Sequence, residues 1–148
     1  MAFTSIPFEP LLSDLVVFEG TDPGSGYTRK EINVTPPAAS APLKLGTVVF
    51  RAKSADKAAA YAVVTAAGNL SLDNEYAVVF GNHYGYNPSF VPSAIATGKF
   101  NSVAFTQGPL KLKSYYLDQV HSALTSAQRS QLFELLEKQG IVVEQTVA

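Results

Sequence analysis

The 148-residue chain has no cysteine, no tryptophan, one methionine and two histidines, and only 16% of it is charged. Without cysteine there is neither a disulfide nor a thiolate metal site, so packing or association must hold the fold. Charge is balanced as well as sparse, with 11 Lys and Arg against 12 Asp and Glu and a formal net charge of −1. The positive excess of a nucleic-acid binder is missing, and nucleic acid is not an expected partner. No apolar run reaches the length of a membrane span, and no basic segment precedes an apolar core, the first Lys or Arg being Arg29. A soluble protein with no membrane partner is expected.

What is present is a chain of 47% hydrophobic residues punctuated by 10 glycines and 9 prolines. Its length suits one domain, since a chain of this size buries roughly 70% of its unfolded surface. The opening "MAFTSIPFEPLLSD" carries Phe3, Ile6, Phe8, Leu11 and Leu12 with neither a helical nor a strand period, and Pro7 and Pro10 interrupt any ladder. Residues 1–13 therefore read as an extended arm, and residues 14–148 as a single β-rich domain. "DLVVFEG" reads as a short strand, and a turn at Asp22, Pro23, Gly24 and Gly26 leads into an extended segment over residues 28–34. After a Pro/Ala/Ser loop, "LKLGTVVFRAK" alternates into another strand with a bend at Gly46. Further strands are expected over residues 61–66, 75–81, 101–106 and 110–116, with a short helix over residues 54–60. Short strands separated by Gly, Pro and Asn predict a mainly β fold, a β-sandwich or partial β-barrel, with a short C-terminal helix.

That helix is announced by "LTSAQRSQLFELLEKQGIVVE". Thr125 and Gln128 stand at capping-box spacing, where each side chain satisfies a backbone N–H left free at a helix start. Leu132, Leu135 and Leu136 share one face, with Phe133 at its margin, and Gly140 suits the left-handed position that ends a helix. "IVVE" then returns the chain to β structure.

Catalytic patterns are not visible. His83 and His121 lie at no metal-ligand spacing, no glycine-rich phosphate loop opens a helix, and no G-x-S-x-G elbow occurs. Scattered Ser, His and Asp are expected by chance in a chain of this length, so neither enzymatic activity nor a cofactor is expected. Asp14, Glu19 and Asp22 read as a solvated acidic group, and Arg29, Lys30 and Arg51 are too few for an anion patch. The sharpest local feature is residues 82–90, where His83, Tyr84, Tyr86, Asn87 and Phe90 are interleaved with small residues. Such a loop either packs its own rings or offers rigid aromatic contacts to a protein or a sugar. A carbohydrate-binding or receptor-facing module is accordingly the alternative function.

Three stretches taken in order carry a resemblance. "SDLVVFEGTDPGSGYTRKEINVTP", then "PLKLGTVVFRAK", then "LTSAQRSQLFELLEKQGIVVEQ" resemble the head decoration proteins of tailed bacteriophages, the family typified by the lambda decoration protein. The matching elements are Tyr27, Thr28 and Arg29 after the D-P turn, the L-x-L-G-T-V run from Leu43, and the closing helix that ends before Gly140. "NSVAFTQGPLKLKSYYL" is similar to the family's paired late strands around a glycine, here Gly108, whereas residues 82–92 have no counterpart. The resemblance implies a β-rich structural protein without enzymatic activity, a homotrimer on the outer surface of the expanded capsid. There it would cement neighbouring copies of the major capsid protein against genome pressure. Phe3, Ile6, Phe8, Leu11 and Leu12 of the arm are then the expected capsid contacts.

Overall fold

The computed structural model describes residues 15–20, 28–35, 43–82, 89–90 and 100–145. Among these residues there are ten strands: β1 (Val16–Glu19), β2 (Arg29–Thr35), β3 (Leu43–Lys44), β4 (Thr47–Ala52), β5 (Tyr61–Val63), β6 (Asn74–Asn82), β7 (Ser89–Phe90), β8 (Phe100–Phe105), β9 (Leu110–Lys113) and β10 (Ile141–Glu144). Two helices follow β9, α1 (Ser114–Val120) and α2 (Ser126–Glu137). Five strands close a barrel in the order β2-β5-β4-β6-β8, and β1-β9-β10 form a separate three-stranded sheet. The mainly β class predicted from the sequence holds, and the barrel is closed rather than partial. Among the described residues no helix is long and apolar enough to cross a membrane.

Both faces of the central strands are buried, which accounts for near-continuous apolar runs such as "YAVVF" in β6. Ile32, Val34, Val49, Tyr61, Ala77, Val79 and Ala104 come from all five barrel strands and fill the barrel interior. The small Ala77 and Ala104 suit so narrow a bore. Their neighbours Val48, Tyr76, Val78 and Phe105 point the other way, into a larger core shared with Leu110 and Leu112 of β9 and with the helices. Leu117, Leu132, Leu135, Leu136 and Ile141 complete that second core, so the leucine stripe of α2 is buried as its spacing required.

The closing helix starts as read from the sequence. The Gln128 N–H donates to the Thr125 hydroxyl at 3.2 Å, and the Thr125 N–H donates to the Gln128 side chain at 2.9 Å. Gly140 has φ +83° and Gly46 φ +88°, the left-handed values at a helix exit and at the β3–β4 turn.

Three expectations are corrected. Residues 54–60 form turns rather than a helix: Ala55 N bonds Ala52 O, Ala59 N bonds Asp56 O, and the Asp56 carboxylate accepts from Ala58 N. The backbone carbonyls of Lys57 and Ala59 are drawn to the Arg51 guanidinium instead of to a helical ladder. The strand expected over residues 110–116 stops at Lys113, because Ser114 opens α1 with Leu117 as its buried anchor. Finally, the late strands β8 and β9 do not pair with each other. β8 lies between β2 and β6 in the barrel, whereas β9 lies between β1 and β10. A Cβ on Gly108 would stand 1.8 Å from the Gly140 carbonyl oxygen, so at this point the chain is tied to the start of β10 rather than turned back on β8. The Gly108–Pro109 peptide is cis.

Candidate docking surface

Phe3, Ile6, Phe8, Leu11 and Leu12 lie outside the described residues, as do His83, Tyr84, Tyr86 and Asn87. Phe90 falls in β7, where its backbone pairs with Leu43. What is described is the place where the chain that follows the arm enters the fold. Leu15 is fully buried in the larger core, and β1 runs antiparallel to β9 from there. The pairing slips: Val16 opposes Leu112 and Phe18 opposes Lys111, so Val17 is the extra residue of a β-bulge.

The far end of β1 is fastened to the barrel. Glu19 receives two hydrogen bonds from Arg29, Nε to Oε1 at 2.8 Å and Nη2 to Oε2 at 2.6 Å, and the Thr28 hydroxyl donates to Oε1 as well. The guanidinium lies over two aromatic rings, 5.0 Å from the Phe80 centroid and 5.6 Å from that of Phe105. Those rings are themselves stacked at 4.4 Å. Hydrogen bonding from Arg29 holds the Glu19 carboxyl below its ordinary pKa, against the opposing effect of burial. Glu19 is thus engaged rather than part of a freely solvated acidic group, a correction to the sequence reading. The next residue continues the fastening, since Gly20 N donates to Pro109 O at 2.9 Å. A Cβ on Gly20 would meet the Pro109 ring at 2.6 Å, which only glycine avoids.

The remaining polar clusters brace the fold. Arg51 is buried on the barrel wall, donating to Glu75 and to the carbonyls of Lys57 and Ala59, with its guanidinium 4.5 Å from the Tyr61 ring centroid. Burial, followed by the nearby Glu75 charge, raises the pKa of the Tyr61 hydroxyl. Gln139 acts as a stand-in peptide group: its side chain accepts from Tyr76 N at 2.7 Å and donates to Tyr76 O at 2.7 Å and Thr106 O at 2.9 Å.

His121 is inserted in a strand ladder. Val64 N bonds Val48 O at 3.0 Å, but the return bond is replaced by the imidazole. The Val48 N–H donates to Nε2 at 2.8 Å, and Nδ1 faces the Val64 carbonyl at 3.2 Å. This arrangement requires the neutral ring protonated on Nδ1. Burial, helped by the positive charge of Arg129, lowers its pKa to about 4. The ring forms one wall of an open cleft of about 360 Å³, and among the described residues Lys44 is the other titratable group that lines it. Among the described residues no three His, Cys, Asp or Glu side chains gather into a group that could hold a metal ion.

Sequence reasoning named the arm and missed its root. Val17, Phe18, Glu19 and Arg29 stand in a short strand and across a loop, and the signal was an apolar pair lacking strand alternation. No family model matches this chain, and no curated protein or solved structure matches it.

Proposed function

We propose that this chain is a structural virion protein. It binds the outer surface of an expanded phage capsid and cements neighbouring major capsid subunits, with residues 1–13 as the docking arm. The observation that carries this reading is the way the chain enters the fold. Leu15 is buried, and β1 is fastened by Glu19, Arg29 and the Gly20–Pro109 bond, so the apolar residues before Leu15 precede a rigid root. The order of the resembling stretches on the folded chain supports it further, since they supply β1, β2, the β3–β4 turn and α2.

Burying Phe3, Ile6, Phe8, Leu11 and Leu12 returns roughly 1.5–3 kcal/mol apiece. Ordering the backbone of the arm costs roughly 1–2 kcal/mol per residue. Apolar burial alone therefore does not secure the arm, and it docks by adding an extended strand to a sheet edge of the capsid, where backbone hydrogen bonds make up the difference. In a homotrimer three arms act together through high effective concentration.

The experiment is to delete residues 1–13 and measure both the thermal stability of the free protein and its occupancy on expanded shells by negative-stain microscopy. The expected result is an unchanged melting temperature with lost occupancy on the shells. Unchanged occupancy, or collapse of the free fold, refutes the assignment of the arm. Glycan-array binding without shell binding favours the carbohydrate module instead.

A further inference from the structure

We infer that the outer edge of β1, with Val17 and Phe18 as its anchors, is a second part of the docking surface, taking an extended, apolar-sided segment of the capsid partner assigned to the arm. This inference rests on the proposed function. Among the described residues β1 ends its sheet, so one side of its backbone faces no strand. Edge strands are ordinarily blunted by Lys or Pro, and "VVFE" contains neither. Its one charge, Glu19, is neutralised by Arg29 on the barrel side. Brevity and the bulge protect β1 from self-pairing without removing its apolar character.

The bulge explains the exposure. In a regular strand adjacent side chains point to opposite faces, and one of any pair would enter the core. Here Val17 is 45% and Phe18 53% exposed. Leu72, the remaining exposed large hydrophobic among the described residues, stands apart in the turn before β6. The edge is also preorganised, because Leu15 and Gly20 are fixed at its two ends, and little ordering is left for binding to supply.

Size selects the occupant. Val17 and Phe18 together expose on the order of 200 Å², against about 800 Å² per partner in a standard stable interface. A second copy seated on this edge alone falls well short. A contact that continues into the adjacent residues 1–14, which carry Phe3, Ile6, Phe8, Leu11 and Leu12, does not, and the partner is therefore the one the arm binds.

The test titrates wild type, the double variant Val17→Lys/Phe18→Lys and the control Leu72→Lys onto expanded shells. Urea denaturation of each free protein runs alongside. Because both side chains are exposed, the double variant is expected to keep the wild-type urea midpoint. Its half-saturation concentration should rise about tenfold or more, while Leu72→Lys binds as wild type. If the lysines lower the midpoint, Val17→Thr/Phe18→Ser is used in their place. Coincident titrations of the double variant and wild type overturn the inference. So does loss of the wild-type oligomer in the double variant, which would make the edge a contact between copies. Faster chymotryptic cleavage after Phe18 when residues 1–13 are deleted from the free protein also overturns it, since the chain's own arm would then cover the edge. Failure of wild type itself to bind shells is a different result, and it removes the capsid reading on which the inference depends.

Discussion

Acidification should unlock the fold at His121. The ring is 3% exposed and accepts from Val48 N through Nε2, so a second proton would set two donors against each other in a buried site. Its pKa falls from 6.5 in an open chain to about 4 in the fold. That difference corresponds to about 3 kcal/mol of stability. The unfolded chain takes up a proton as pH drops through 6.5, whereas the folded chain resists until about 4. The stabilisation is therefore complete above 6.5 and is lost between 6.5 and 4, at up to about 1.4 kcal/mol per pH unit. Glu19 works in a lower window: its depressed pKa gives stability present above 4.5 and lost as pH falls through the folded value. Urea denaturation of wild type and His121→Gln between about pH 7 and pH 4.5 separates the two. Subtracting one curve from the other cancels Glu19 and His83, and the difference should shrink by about 2–3 kcal/mol toward acid pH. A difference that stays flat refutes the reasoning, as does an NMR titration of the folded His121 ring with a midpoint near 6.5.

Substitutions at two further positions probe the junction of the sheets. Gly140→Val should cost about 2 kcal/mol or more, because φ is +83° and a Cβ would lie 3.1 Å from Gly108 Cα; an unchanged urea midpoint would contradict it. Gln139→Leu removes three hydrogen bonds and orphans the Tyr76 amide, for an expected loss of about 2–4 kcal/mol. Gln139→Glu should recover little of that loss in the same assay, since a carboxylate cannot donate to Tyr76 O and Thr106 O.

Local rules made the closing helix and most strands legible, because a capping box, a leucine stripe and an apolar run each act within a few residues. Helix α1 escaped because Lys113 at its N-cap makes no side-chain capping bond, and its Tyr-Tyr pair suits a strand equally well. Residues 54–60 misled in the opposite sense: alanine favours a helix in isolation, yet Asp56 and the buried Arg51 take the groups a helix would need. The division of β8 and β9 between two sheets depends on Gly108 meeting Gly140, a contact between residues far apart in the chain. The same limit hid the fastening of β1. Glu19 and Arg29 are ten positions apart, and the aromatic platform beneath Arg29 comes from β6 and β8. The arm itself was legible only as composition.

Leu112 of β9 is flanked by Val16 on one side and Val143 on the other. β1 is antiparallel to β9 and β10 parallel to it, so the beginning of β1 and the end of β10 share one end of the small sheet. Two strand spacings, roughly 10 Å, separate them. A passenger domain joined directly after Gln145 would therefore start about that far from the beginning of β1, and a bulky cargo on a short tether would crowd the proposed docking edge. Display on this scaffold calls for a long linker there, or for an insertion site in the turn around Leu72, which leads into barrel strand β6 rather than into the sheet of β1 and β10.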